Sequence, residues 1–269
     1  MTLPYNITEP SAPELPLVLS VPHCGTAFPD SLRNEYKQEL IAKPDDTDWF
    51  VDELYAFAPS LGMTVITAVY NRWVIDLNRD PKSKPLYTDG RIVTALCPTT
   101  NFLGTPIYRN HRTEVDAEDV DNRLQNIYWP YHQKLQELIT NKKMKFGFVV
   151  LWDCHSIRQE VPSIQSGKFP DLILGDVDET SASPLLIETA LQSLQKGPYT
   201  VNHNHPFKGG YITRAYGDPK NNVHALQLEM TKVNYMDETE SNYHPAKAAK
   251  MQSLLITTLQ ALAKNISAL

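Results

Sequence analysis

Cysteine is scarce: Cys24, Cys97 and Cys154 are the only three in 269 residues. Three thiols cannot make a complete disulfide set and none has CxxC spacing, so a disulfide-stapled secreted scaffold is excluded and the cysteines read as reduced thiols. Positive charge is also short, with 25 Lys and Arg against 31 Asp and Glu and a net charge of −6. No basic run or Arg/Lys-rich helix is present to follow phosphates, which argues against nucleic acid as a partner. Long apolar runs are missing too. No stretch approaches the roughly 18 apolar residues of a spanning helix, and the opening "MTLPYNITEPSAPELP" lacks both the basic and the apolar region of a secretory signal. A cytoplasmic protein with no membrane and no evident protein partner is the expectation.

What is present is a 42% apolar composition, enough for a sizeable core. Apolar, β-branched runs at "LPLVLSV" (15–21), "MTVITAVY" (63–70), "RWVIDL" (72–77), "FGFVVLWD" (146–153) and "VHALQLEM" (223–230) predict strands. Several are too uniformly apolar to have a wet face. Between them "DWFVDELYAFAPSLG", "DAEDVDNRLQNIYWPYHQKLQELITNKK", "SPLLIETALQSLQ" and "HPAKAAKMQSLLITTLQALAKN" predict helices. The alternation predicts an α/β fold, a three-layer sandwich whose central sheet is covered on both sides. The stretch from about Asp80 to Arg112, rich in Pro, Thr, Asn and Gly, predicts a long irregular excursion of the kind that serves a site.

Ligands of α/β sheets gather outside the carboxyl ends of the strands. His23 follows the first predicted strand, Asn78 and Arg79 follow "RWVIDL", His155 follows "FGFVVLWD", and Glu229 lies near the end of "VHALQLE". His23, His155 and an acid from "DDTDW" (45–49) supply two imidazoles and a carboxylate with a fourth position left for water, the pattern of a catalytic metal. Each histidine alone also fits a strand-end residue satisfied by backbone hydrogen bonds. Asp153 shares a strand face with His155 and is placed to fix its tautomer, which turns Cys154 toward the core. A charged, unpaired Glu229 in an apolar strand costs several kcal/mol, so it predicts a partner. Gln227 lies on the same strand face.

In that order along the chain, "SVPHCGTAFPD", "DDTDWFVDELYAFAPSLG", "YNRWVIDLNRDP", "VVLWDCHSIR", "PDLILGD", "FKGGYITRAYG" and "ALQLEM" resemble the N-formylglutamate amidohydrolase family. The resemblance spans Leu17 to Met230. It implies one amidohydrolase domain over residues 1–269 and a central mixed sheet similar to that of zinc-dependent exopeptidases. It also implies hydrolysis of N-formyl-L-glutamate, a small-molecule substrate, to formate and L-glutamate at the end of a histidine-degradation route. His23 matches the family's Pro-His-x-Gly position and His155 its Asp-x-His-Ser position, so both carry over as ligands of one divalent metal ion, zinc first. Related exopeptidases place a Glu three residues after the first His, where this chain has Thr26, so the third ligand comes from elsewhere. Asp48 is the choice and Asp46 its rival, otherwise a residue behind the ligands; either could instead cap a helix starting at Asp48. Cys24, at a position where the family carries a small residue, is read as packing rather than as a thiolate ligand or nucleophile.

Formamide hydrolysis needs a nucleophile, a proton relay and a stabilised oxyanion. A metal acidifies water and polarises the carbonyl, and Glu229 is the candidate to pass the proton to the leaving amine. The product's two carboxylates call for arginine, whose fork lysine cannot copy. Arg79 is the first choice, then Asn78, Arg72 and Arg214, with Tyr211 and Lys208 of "FKGGYITR" beside a Gly pair that permits close backbone approach. His132 falls within a helical run and reads as packing, while His111, His203 and His205 read as loop residues. Two other readings stay open: a related zinc amidohydrolase or peptidase acting on another N-acyl amino acid, and a non-catalytic protein that binds amino-acid derivatives.

Overall fold

The structure, a computed structural model, describes residues 3–82 and 95–266. Residues 83–94, part of the expected excursion, lie outside the described residues. Seven strands, β1 (Tyr5–Thr8), β2 (Leu17–Val21), β3 (Thr64–Ala68), β4 (Val149–Ile157), β5 (Leu172–Gly175), β6 (Val201–His203) and β7 (Val223–Thr231), form one mixed sheet in the order β1-β3-β2-β4-β7-β5-β6. The four central strands β3, β2, β4 and β7 are parallel, while β1 and β5 run antiparallel to their central neighbours and β6 runs parallel to β5.

Every residue of β2 and of β4 is buried, as a strand covered on both faces requires. Alternation sorts the two faces. Leu17, Leu19, Val150, Trp152 and Cys154 pack with the helices Pro184–Leu194 and Pro245–Ile266, whereas Val18, Val149 and Leu151 pack with Tyr131, Leu135 and Ile139 of the helix Trp129–Phe146. The third predicted helix is nearly continuous: Ala117–Arg123 is capped by the Asp116 carboxylate on the Asp119 amide and passes through a π turn, Leu124–Tyr128, into Trp129–Phe146. Gly147, in a left-handed conformation at φ 84°, ends it.

Two expectations fail. "RWVIDL" is not a strand. Arg72–Leu77 is buried, but its backbone partners come from turns and side chains: Val74 N donates to Asn71 O, Asp76 N to Leu96 O, and the Arg123 guanidinium to Val74 O. An apolar run signals burial, and burial needs only satisfied backbone groups, not a ladder. "DWFVDELYAFAPSLG" is not one helix either. Phe50 stands at φ 63°, a single α-turn covers Val51–Leu54, and a 3₁₀ turn at Ala58–Leu61 follows, with Pro59 early in it and left-handed Gly62 after it. The short strands β1, β5 and β6 had no counterpart among the predicted runs.

Candidate functional site

The parallel strands β2, β4 and β7 all end on one side, and the sheet register delivers a polar group at each end. In the β4–β7 ladder Asp153 faces Gln227 and His155 faces Glu229. His155 therefore lies inside β4 rather than after it. His23 follows β2, and the Asp48 amide donates to its carbonyl at 3.0 Å, which brings the segment carrying Asp48 against it.

One Asp48 oxygen lies 3.2 Å from His155 Nδ1 and 3.6 Å from His23 Nδ1, and accepts the Ser156 amide at 3.2 Å. The other nitrogen of each ring is occupied from behind. His23 Nε2 sits 2.8 Å from Asp76 Oδ1, and His155 Nε2 sits 2.9 Å from Asp153 Oδ2. Both histidines are thereby oriented with Nδ1 inward. His23, Asp48 and His155 are each buried, and each offers a ligand atom within 4.8 Å of the others. His23 Nδ1 is a buried nitrogen with no hydrogen bond, which a divalent cation accepting its lone pair would resolve. Burial alone would raise the Asp48 carboxyl, but the His155 and His23 rings beside it outweigh burial and hold the group ionised and below its usual range. Asp76 is likewise held well below: burial works against the charge, and Arg72 and His23 overcome it.

A cavity of about 450 Å³ opens onto this group. Its polar wall includes His23, His155, Arg72, Asn78, Arg79, Gln227 and Glu229. Glu229 is half-buried; burial pushes its carboxyl up to about 8, with His155 pulling the other way. Gln227 bonds to Glu229 at 3.4 Å and accepts the Gly210 amide at 2.7 Å. Arg72 Nη2 lies 2.6 Å from Asp76 Oδ2 and Arg79 Nε 3.9 Å from the same oxygen, so two guanidinium groups share one carboxylate.

This arrangement, an ionised carboxylate between two oriented imidazoles beside a basic cavity wall, suits metal-assisted hydrolysis of an anionic substrate. The family model for N-formylglutamate amidohydrolase matches residues 15–236. The chain belongs to the N-formylglutamate amidohydrolase family. Among N-formylglutamate amidohydrolase relatives, an N-formylglutamate deformylase of Pseudomonas putida is 41% identical over 92% of both chains. Another from Pseudomonas aeruginosa is 38% identical over 91% of both. The crystal structure of N-formylglutamate amidohydrolase from Ralstonia eutropha JMP134 superposes with a TM-score of 0.83 at 28% identity, covering 98% of this chain and 99% of that one.

Not every residue singled out from the family pattern reaches the cavity. Asp46 does not touch the histidines; it accepts Trp73 Nε1 at 2.7 Å and the Phe102 amide. Lys208 pairs with Asp178 at 2.8 Å, Arg214 Nε donates to Gly209 O, and Tyr211 packs on Tyr128 and His132; none of the three lines the cavity. The Gly pair itself comes close to the site. A Cβ on Gly210 would stand 2.2 Å from Asn78 Nδ2, so it is the backbone of this segment that approaches Asn78. Asn78 is fixed by that contact: its Oδ1 accepts the Ile212 amide and its Nδ2 points at Asp153 and His155. Cys24 bonds to backbone carbonyls, and burial holds its proton on, in keeping with a packing role. His132 is buried between Leu77 O and Tyr216, while His203 is no loop residue but lies in β6 with Nε2 on Asp176 at 2.6 Å.

Asp76, the partner of His23, Arg72 and Arg79 together, was missed. Its signal was an acid inside an apolar run, the same signal that marked Glu229.

Proposed function

We propose that this protein hydrolyses N-formyl-L-glutamate to formate and L-glutamate with one divalent metal ion, zinc, held by His23, Asp48 and His155. The observation that carries the reading is that the two histidines of the buried triad, Glu229 and two arginines line a single cavity, with Asp48 between the histidines behind it.

When bound, the metal supplies a Lewis acid for the formyl oxygen and acidifies water for attack. The chain's own residues do the rest. Asp76 and Asp153 accept the Nε2 protons of His23 and His155 and so keep both imidazoles in the tautomer that presents Nδ1. Glu229, on the cavity wall, takes a proton from the attacking water and returns it to the leaving nitrogen. Arg72 and Arg79 both line the cavity, and a guanidinium fork pairs with a carboxylate better than with an amide, which favours a dicarboxylate over its monoamide. Asn78, Arg72 and Arg79 are the carboxylate contacts in this reading. The same proposal places the reaction in histidine degradation; its placement in the cytoplasm is supported by three cysteines that are all free.

The test is formate release from N-formyl-L-glutamate and N-formyl-L-glutamine by the purified protein, before and after chelation and after zinc is restored. Chelation should abolish turnover, zinc should return it, and the glutamine compound should be the poorer substrate. Turnover that survives complete metal removal defeats the metal assignment; equal rates on the two substrates defeat the carboxylate assignment.

A further inference from the structure

The mechanism above leaves Asp46 and Phe102 unused, yet the two are joined with unusual care. Residues 99–107 form a loop that closes on itself. Asn101 Oδ1 accepts the amides of Leu103 and Thr105 at 3.1 and 2.8 Å, Asn101 N donates to Thr105 O, and Ile107 N donates to Thr99 O. Phe102 and Leu103 are left at the tip, and both line the cavity. Such a tip needs no further support to be closed. Nevertheless both oxygens of the buried Asp46 carboxylate accept the Phe102 amide, at 3.0 and 3.1 Å, while Oδ2 also takes the Trp73 indole N–H. On the other side, Ser163 Oγ donates to the Phe102 carbonyl. Both backbone groups of Phe102 are therefore fixed from outside the loop, and its ring lies with its centroid 4.8 Å from the Arg72 guanidinium carbon.

The geometry points to Phe102 as a specificity-determining residue and to Asp46 as the positioning residue that holds it: the ring roofs Arg72, so that this cation meets substrate only through its remaining N–H edge. Asp76 takes the Nη2 end of Arg72, and the guanidinium carbon lies over the Phe102 ring. A carboxylate lying in the guanidinium plane satisfies the remaining donors with two parallel bonds, which an amide cannot do. The ring also excludes water from the face it covers, and a cation–π contact gains strength when desolvated. This inference rests on the proposed role of Arg72 in binding a substrate carboxylate.

The test uses the metal-loaded protein and Phe102→Leu, Phe102→Trp and Asp46→Asn, with metal content, kcat and KM on N-formyl-L-glutamate, and calorimetric titration with glutarate. Phe102→Leu keeps an apolar side chain but loses the π face, so KM should rise about three- to thirtyfold while kcat changes less than about threefold. Phe102→Trp restores a π face and should keep KM within about threefold of the parent. Asp46→Asn should follow Phe102→Leu, because an amide nitrogen must then face an N–H donor, with metal content unchanged. A parent-like KM in Phe102→Leu, a fall in kcat at constant KM, or loss of metal in Asp46→Asn overturns the inference. If Asp46→Asn does not fold, the two variants at the loop tip still decide. If the parent releases no formate, the deformylase reading fails on its own; glutarate then reads the roof directly, with weaker binding to Phe102→Leu supporting it and equal binding overturning it.

Discussion

Asp76→Asn removes one charge and almost no volume, and the structure sets what should follow. The carboxylate is fully buried and has three duties: it orients His23 through Nε2 at 2.8 Å, neutralises Arg72 at 2.6 Å, and accepts the Asn78 amide at 2.9 Å. Loss of a carboxylate behind a ligand histidine typically weakens metal binding about 10- to 100-fold. Arg72, itself buried, loses its near charge, and breaking a buried pair by removing one partner costs about 3–5 kcal/mol. For a chain of this size that lowers Tm by roughly 10 °C. The folded carboxyl titrates well below its unfolded value, so its contribution is complete above about pH 5 and is lost as acid carries the pH below about 4 toward the folded pKa. Competition against a chelator of known zinc affinity measures the first effect, and chemical unfolding of the metal-free protein at pH 7 and pH 4 measures the second. Zinc affinity within about twofold of the parent would refute the orienting role, and a stability gap that widens toward pH 4 would refute the electrostatic argument.

Glu229→Gln should keep its metal and bind substrate yet lose at least about a hundredfold in kcat, because an amide cannot relay the proton; near-normal turnover removes Glu229 from the reaction. Arg79→Lys should lower kcat/KM on N-formyl-L-glutamate about ten- to a hundredfold, read from initial rates, since a point charge forfeits the second bond of the fork. His132 is buried and neutral, its pKa pushed down to about 4 by desolvation. Its unfolded counterpart takes up a proton near 6.5, so stability falls as pH drops from about 6.5 to 4, by about 3 kcal/mol from this residue alone. The unfolding free energy of the parent, from denaturant curves, should fall by that amount relative to His132→Gln between about pH 6.5 and pH 4; parallel pH profiles would remove the assignment.

The layers of the fold were legible because burial on both faces writes itself into uniform apolar runs. β2, β4 and β7, with the helices Trp129–Phe146 and Pro245–Ile266, lie where those runs and helical patterns stand. Position at strand ends, together with the Pro-His-x-Gly and Asp-x-His-Ser patterns, was enough to single out His23, His155 and Glu229. The same apolar signal misled at "RWVIDL", since a run reports water exclusion and not which backbone groups answer each other. Asp76 was hidden there among residues taken for core.

Where an assignment depended on direction, local pattern was silent. Asp46 and Asp48 are two residues apart in a segment that is neither strand nor helix, so no period relates their side chains. The contacts that separate them come from distant parts of the chain: His155 and Ser156 on Asp48, Trp73 and Phe102 on Asp46. Likewise "FKGGYITR" announced a close approach at its glycines but not which atoms would approach. The packing of Gly210 against Asn78 decided for the backbone, and Lys208, Tyr211 and Arg214 are not among the residues that line the cavity. Residue types and their order determined the chemistry available to this chain. Which carboxylate faces which ring was decided by tertiary packing, because an interaction energy depends on the distance and angle between groups that only folding brings together.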